Sequence, residues 1–344
     1  MKINKKNFSK ISVPFFKKIS SWGLVALLLI FVFVFFQIYM PANPVSKETV
    51  VFTIQKGWSD DVISANLKKL GIIRSTYFFK FYAIVSLKHS SLQAGEYGLS
   101  PKMSIYSIVN KMARGDVIKD KLVILEGWNV NDIGKYLESK GICKQDYFVS
   151  LTKKDYSADY DFLSDKPSNV GLEGYIFPDT YQIARGESCE DVLTTMLDNF
   201  NQKLSLKLRV DIQKQNKSIF DVITMASLVE KEVRGTDDKK IASGILWKRI
   251  AIGMPLQLDS TINYITNKKD PSPLIKDTKI DSPYNTYKHV GLPKGPISNP
   301  GIDSIMAAIY PKKTNYLYWL SDGKTIFSET WAQHQAAIQQ YLSK

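Results

Sequence analysis

The sequence predicts an α+β protein held to a membrane by one N-terminal helix. Three observations carry that expectation. An uninterrupted apolar run fills residues 23–40, a strand–turn–helix pattern occurs twice at an offset of 70 residues, and amphipathic helical stripes are separated by only a few short strands.

The apolar run has Gln37 as its single amide side chain. As a helix it is about 27 Å long, close to the ~30 Å hydrocarbon core of a bilayer, and in lipid it must be helical to satisfy its own backbone. Trp22 and Tyr39 stand at its two ends, where amphipathic rings prefer the interface. Lys2, Lys5, Lys6, Lys10, Lys17 and Lys18 precede it, and the first acidic residue is Glu48. The positive-inside rule therefore puts the N-terminus in the cytoplasm and the rest of the chain outside. A cleaved signal peptide fits poorly, because the basic region is long and Pro41-Ala42-Asn43-Pro44 offers no small-x-small site. The expected organisation begins with a cytoplasmic basic tail over 1–22, a transmembrane helix over 23–40 and a tether over 41–48.

The net charge is +13, and six of those charges are the lysines before the helix. The remaining excess is mild and spread out. It suits an anionic surface such as cell wall or lipid headgroups, and no recognition motif points to a nucleic-acid partner. Cys143 and Cys189 are the only cysteines and neither lies in a CxxC, so their pairing is left open. His89, His289 and His334 are scattered without an HExxH, so neither a metal nor another cofactor is expected.

The repeated pattern begins at Gly57-Trp58, continues through Ile63 and Leu67, and ends at Gly71-Ile72. Its second copy runs Gly127-Trp128, Ile133, Leu137, Gly141-Ile142. Each copy follows a strand-like run, 50–54 or 122–125, and each closes on a glycine suited to a helix C′ position. Between the copies come a helix over 77–85 and another over 105–112, N-capped by Ser104. Strand, helix, helix, strand over residues 49–122 resembles a LysM module, a small peptidoglycan-binding fold. Trp58 and Trp128 read either as aromatics that pack the turn or as platforms for sugar rings.

Residues 191–265 are mostly helical, with apolar stripes over 192–200, 219–233 and 241–252. Periodicity then stops. Residues 266–301 contain six prolines and three glycines, and a stretch of that length inside a domain is usually functional. Its Tyr284, Asn285, Tyr287 and Asn299 suggest an ordered binding loop. A helix from Ser304, a hairpin turning at Asp322-Gly323 and a last helix complete the chain.

The helix over 221–233 holds the sharpest chemical candidates. Val222, Met225, Ala226, Val229 and Val233 form its apolar face. Glu230 and Glu232 lie at opposite margins of that face, about 80° from its centre at ~100° per residue. Partial desolvation raises a carboxyl pKa and keeps the group protonated near neutrality, which is what glycosidic cleavage requires of its acid. A plain Glu230–Arg234 pair one turn apart is the alternative. Helix geometry alone does not choose between the two glutamates.

Five segments in order carry a family resemblance: 172–181 (LEGYIFPDTY), 226–232 (ASLVEKE), 256–261 (LQLDST), 282–287 (SPYNTY) and 291–301 (GLPKGPISNPG). They resemble the signatures of the endolytic murein transglycosylases, the YceG-like family. The 256–261 segment resembles that family's strand-leading LQTDPT run. Ser260 and Lys294 depart from it, standing where the family often has proline.

The resemblance implies an α+β YceG-like catalytic domain over 123–344 behind the LysM-like module, in a bacterial inner membrane. It implies a lytic transglycosylase that cuts the MurNAc-β-1,4-GlcNAc bond of nascent strands, leaves 1,6-anhydro ends and terminates glycan polymerisation, with peptidoglycan synthases as partners. It assigns the acid/base to Glu230 and leaves Glu232 a supporting role. Gln257, Asp259, Thr261, Tyr284, Asn285, Tyr287 and Asn299 are the expected sugar-binding residues, and Glu173 and Asp179 are expected to be structural. The rival functions are a hydrolase using Asp259 as second carboxylate and a non-catalytic glycan-binding scaffold.

Overall fold

The computed structural model describes residues 21–268, 273–321 and 324–341, in which short antiparallel ribbons are mixed with helices. The basic tail and the Asp322-Gly323 turn lie outside the described residues. By its contacts the chain forms two compact units, Met1–Ile118 and Lys119–Lys344.

The first unit opens with α1 (Ser21–Tyr39), a helix long and apolar enough to cross a membrane and little buried by protein. The chain after it is fastened rather than free. Asn43 N–H donates to Pro101 O at 2.8 Å, and the Arg74 guanidinium donates to Ala42 O at 3.1 and 3.2 Å. There follow β1 (Val50–Ile54), α2 (Asp60–Lys69), α3 (Thr76–Val85), β2 (Gly95–Leu99) and α4 (Ile105–Ala113). Strand β2 pairs antiparallel with β1, and the core between sheet and helices is built from Phe52, Ile63, Leu67, Phe79, Tyr97 and Ile108. Ser59 and Ser104 hydroxyls cap α2 and α4, each accepting from the third backbone N–H of its helix.

The second unit repeats this plan: β3 (Lys119–Val123), α5 (Val130–Ser139), α6 (Gln145–Leu151), β4 (Thr180–Ala184) and α7 (Cys189–Lys203). The expected strand at 122–125 starts earlier, because Lys119 already pairs with Ala184. The equivalence reaches the sheet register. Phe52 faces Tyr97 in one ribbon and Leu122 faces Tyr181 in the other, so the first strands are 70 residues apart and the second strands 84. Both helix ends close the same way. Gly71 and Gly141 take φ of +68° and +72°, and Ile72 and Ile142 each donate at 3.0 Å to the carbonyl five residues back, on Leu67 and Leu137. From first strand to second the second copy is thus fourteen residues longer, and the stretch before β4 that carries Glu173 is correspondingly longer than the one before β2.

Beyond the repeat come α8 (Leu206–Gln213), α9 (Ile219–Glu232), α10 (Thr236–Ala251) and α11 (Asp259–Thr266). Then follow α12 (Ile302–Ile309), β5 (Tyr318–Ser321), β6 (Thr325–Ser328) and α13 (Trp331–Tyr341). Helix α9 runs through the core and is buried continuously from Val222 to Val229. Residues 256–261 open a helix, not a strand: Gln257 turns the chain at φ +53° and α11 begins at Asp259.

Cys143 and Cys189 form a disulfide spanning 46 residues, with Cα atoms 5.8 Å apart. It ties the loop after α5 to the first residue of α7. Closing a loop of that size stabilises by about 4 kcal/mol in the chain-entropy limit. At roughly 2–4 °C per kcal/mol for a unit of this size, reduction should lower the melting temperature by about 10 °C. Calorimetry of the full chain with and without reductant checks this, and an unchanged transition would show that the bond carries no stability.

Candidate active site

The last turn of α9 places Glu230 and Glu232 about 200° apart around the helix, so they meet different surroundings. Glu230 turns inward. Both of its oxygens accept from Lys239 Nζ at 3.2 Å, and Oε2 also accepts from Gly301 N–H at 3.0 Å and Ser304 Oγ at 2.7 Å. The two side chains are only 8% and 5% exposed. The sequence-based pairing with Arg234 is replaced by a buried ion pair from α10, and Glu230 so paired also lines a hollow with Glu126, Lys231 and Glu232. Gly301 can lie this close because it lacks a side chain: a Cβ there would stand 1.9 Å from Glu126 Oε1.

Glu232 turns the other way, and Ser260 Oγ donates to it at 2.7 Å. Burial pushes its pKa from 4.5 up to about 7. The Ser260 hydrogen bond opposes that rise, Asp259 adds to it, and Arg249 opposes it from farther away. Glu232 lines two adjoining hollows of about 860 and 1000 Å³, which also share Glu126, Gly127, Lys231 and Ser321, so it sits where they join into one groove. Trp128, Asn129, Asn263, Tyr264 and Trp319 line the first of these hollows with Asp259. Trp128 also packs edge-on against Tyr136 at 5.3 Å, so turn-packing and groove-lining fall to one ring. Arg249 holds the wall near Trp319: it donates to Leu256 O and Leu317 O at 2.8 Å and lies 5.6 Å from the Trp319 ring centre.

The expected sugar-binding residues separate. Asp259 lines the groove and accepts from Tyr287 O–H, which makes Tyr287 its support. Gln257 is exposed on its left-handed turn, and Tyr284 is half-buried against Tyr264. Three of these side chains are fully buried and bonded within the protein. Thr261 bonds Leu258 O and Thr286 Oγ1. Asn285 braces its own loop through Thr278 O, Ile280 O and Tyr287 N–H. Asn299 is a hub, accepting from Gly174 and Ile176 N–H at 2.9 Å and donating to Trp128 O and Glu173 at 3.0 Å.

Glu173 is structural, as expected. It accepts from Val130 N–H at the start of α5, and burial lifts its pKa to about 8. Asp179 accepts from Asn199 and pairs with Lys203. The groove-lining Glu126, Asn263 and Trp319 escaped the sequence reading, since none lies in a periodic stripe or a recognised segment. Trp128 alone carried a signal, as half of the Gly-Trp repeat.

The site is thus a polar groove lined by two indole rings, with a carboxyl whose pKa burial raises to about 7 where its two hollows meet. The protein belongs to the YceG-like family, whose family model matches residues 52–340. It is 34% identical over 321 residues to an endolytic murein transglycosylase of Bacillus subtilis, with 88% of each chain covered. An endolytic murein transglycosylase of Streptococcus pneumoniae strain R6 is 30% identical, with 88% of this chain and 60% of the relative covered. A crystal structure of a yceG-like protein from Listeria monocytogenes matches with a TM-score of 0.58 at 34% identity, covering 85% of this chain and 100% of the other.

Glu232 and Glu173 are both raised above their usual 4.5, to about 7 and about 8. Above about pH 4.5 the unfolded chain sheds protons that the native state keeps, so both groups lower stability as pH rises toward 7–8. Glu232→Gln should therefore melt higher than the parent at pH 8 and level with it near pH 4. Melting curves across that range test the sign, and a deficit at pH 8 would place an ionised, stabilising carboxylate at Glu232 instead.

Proposed function

We propose that this protein is a peptidoglycan lytic transglycosylase that cleaves the MurNAc-β-1,4-GlcNAc bond within glycan strands, with Glu232 as its acid and base. The observation that carries this reading is a desolvated carboxyl that lines both hollows, beside a second glutamate that is ion-paired to Lys239 and lines one of them. The names of the relatives supply the substrate class. Protonated Glu232 gives its proton to the glycosidic oxygen as the C1–O bond breaks. The resulting carboxylate then takes the proton of the muramyl C6 hydroxyl as that oxygen closes on C1, leaving a 1,6-anhydro end and a free 4-hydroxyl. One carboxyl serves both steps in turn. Trp128 and Trp319 offer ring faces to the sugars, Asn263 an amide, and Asp259 with Tyr287 a hydroxyl-binding edge. Gln257 and Tyr284 belong to the rim.

In this reading α1 spans the bacterial inner membrane with the lysine-rich end in the cytoplasm, and the groove works outside. The Cys143–Cys189 disulfide supports the oxidising side. The β1–α2–α3–β2 order supports a LysM-like role for the first unit. Cutting strands near the membrane, where synthases extend them, would make the enzyme a terminator of glycan polymerisation.

Digestion of purified sacculi by the full chain, followed by mass spectrometry, tests the chemistry. Products should carry 1,6-anhydro ends. Reducing ends would mean a hydrolase, and binding without release would mean a scaffold. Glu232→Gln should lose on the order of 10² to 10⁴ in rate or more with its fold intact. Glu230→Gln instead leaves the Lys239 charge buried and unpaired, which costs about 3–5 kcal/mol, so its main effect should be a lower melting temperature. A folded, inactive Glu230→Gln beside an active Glu232→Gln would return the acid to Glu230. Ser260→Ala removes a donor that favours the Glu232 carboxylate, so the alkaline limb of the pH–rate profile should move to higher pH. A limb that stays in place would mean that another group sets it.

A further inference from the structure

Helix α3 carries a feature that the catalytic reading does not use. Its sequence, TYFFKFYAIV, has Lys80 as its single charged residue. A helix apolar all round is normally covered all round. Here Phe79 and Ala83 face the core of the first unit, while Tyr77, Ile84 and Val85 are 65%, 56% and 63% exposed. Tyr77, Phe81 and Ile84 recur at i, i+4 and i+7, on the side away from that core. The chain then turns at Leu87, a non-glycine residue at φ +58°, which leaves its side chain 86% exposed beside Val85.

This face borders a hollow shared with Trp58, Asp60, Asp61 and His89, and on another side α3 meets α1. Phe78 of α3 meets the Phe33 ring edge-on at 5.8 Å, and the Arg74 guanidinium lies 5.8 Å from the Phe36 ring centre. Phe33 is six residues before Tyr39, which puts it about 9 Å deeper along the helix axis. The span has no length to spare. The 18 residues Trp22–Tyr39 cover about 27 Å of a ~30 Å hydrocarbon core. Were the membrane to end below Phe33, the apolar stretch over 23–33 would cover only about 17 Å, and Lys17 and Lys18 bar an extension upstream. Phe33 therefore lies inside the bilayer whenever α1 spans it, and so does whatever touches Phe33.

We propose that α3 and the Val85–Leu87 tip lie in the outer leaflet as an in-plane membrane element, with lipid acyl chains covering Tyr77, Phe81, Ile84, Val85 and Leu87. The depth of about 9 Å matches the ~5–10 Å at which interfacial helices bury their apolar faces. Arg74 and the Lys80–Asp61 pair, at 2.6 Å, then fall at headgroup level. The first unit is thereby seated in the membrane at a fixed height instead of swinging on a tether. This inference rests on the reading of α1 as a membrane span.

The test uses the full chain in phospholipid vesicles. Both native cysteines are in the disulfide, so single added cysteines can carry an environment-sensitive fluorophore. Labels go at Phe31→Cys in mid-span, at Ile84→Cys and Leu87→Cys on the proposed face, and at Lys153→Cys as an exposed control. Lipids brominated on the acyl chains should remove most of the emission at 31, 84 and 87 and leave that at 153 unchanged. Quenching at 31 without quenching at 84 and 87 overturns the proposal and leaves the span intact. No quenching at 31 overturns the span, and the proposal with it. If soluble glycan strands, and not brominated lipid, change the emission at 84 and 87, the face is a sugar site and the proposal is wrong.

Discussion

The buried pair between Glu230 and Lys239 is the constraint on which the site depends. Two opposite charges out of water hold together only if each is solvated by protein, and a lone ion pair rarely repays its desolvation. Here the carboxylate is served by the ammonium, the Gly301 N–H and the Ser304 hydroxyl, one group from α10 and two from the start of α12. The pair therefore joins three helices at one point. It fixes the last turn of α9, and because Glu232 is two residues further along that turn, it also fixes where Glu232 points.

Two glutamates of the same helix turn thus acquire different chemistry from their surroundings alone. One is paired with an ammonium and accepts from a backbone N–H and a hydroxyl. The other accepts from Ser260 and has an acidic neighbour in Asp259. Glu126 adds a further carboxyl to the groove, its pKa raised by burial and then by the nearby Glu230. Ser260 is the residue that gives Glu232 its hydrogen bond.

The duplicated β–α–α–β–α plan shows what distinguishes the second unit. Both copies share strand register, glycine turns and helix stops, which follow from local chain chemistry. The longer second copy inserts its extra residues before β4, where Glu173 meets the Val130 N–H and Asn299. Asn299 in turn holds Trp128 O, and Gly127 N–H donates to Asn299 O at 2.9 Å. The turn that recurs from Gly57-Trp58 of the first copy is locked in the second copy into the wall of the groove.

Local chemistry made much of this protein legible from its sequence. The apolar run, the Gly-Trp repeat, the helix stops at Gly71 and Gly141, the Ser104 cap and the α9 stripe all depend on neighbours within a few residues. Periodicity therefore read them correctly, and it placed both glutamates at the margins of the buried face. What remained hidden was decided by partners distant in sequence. Lys239 and Ser304 engaged Glu230, and Ser260 and Asp259 shaped the surroundings of Glu232. Asn285 and Asn299 looked like ligand-binding side chains because amides in a proline-rich loop can face either way. Only the tertiary structure turned them inward, since a long irregular segment in the core must find partners for its own backbone, and these side chains supply them.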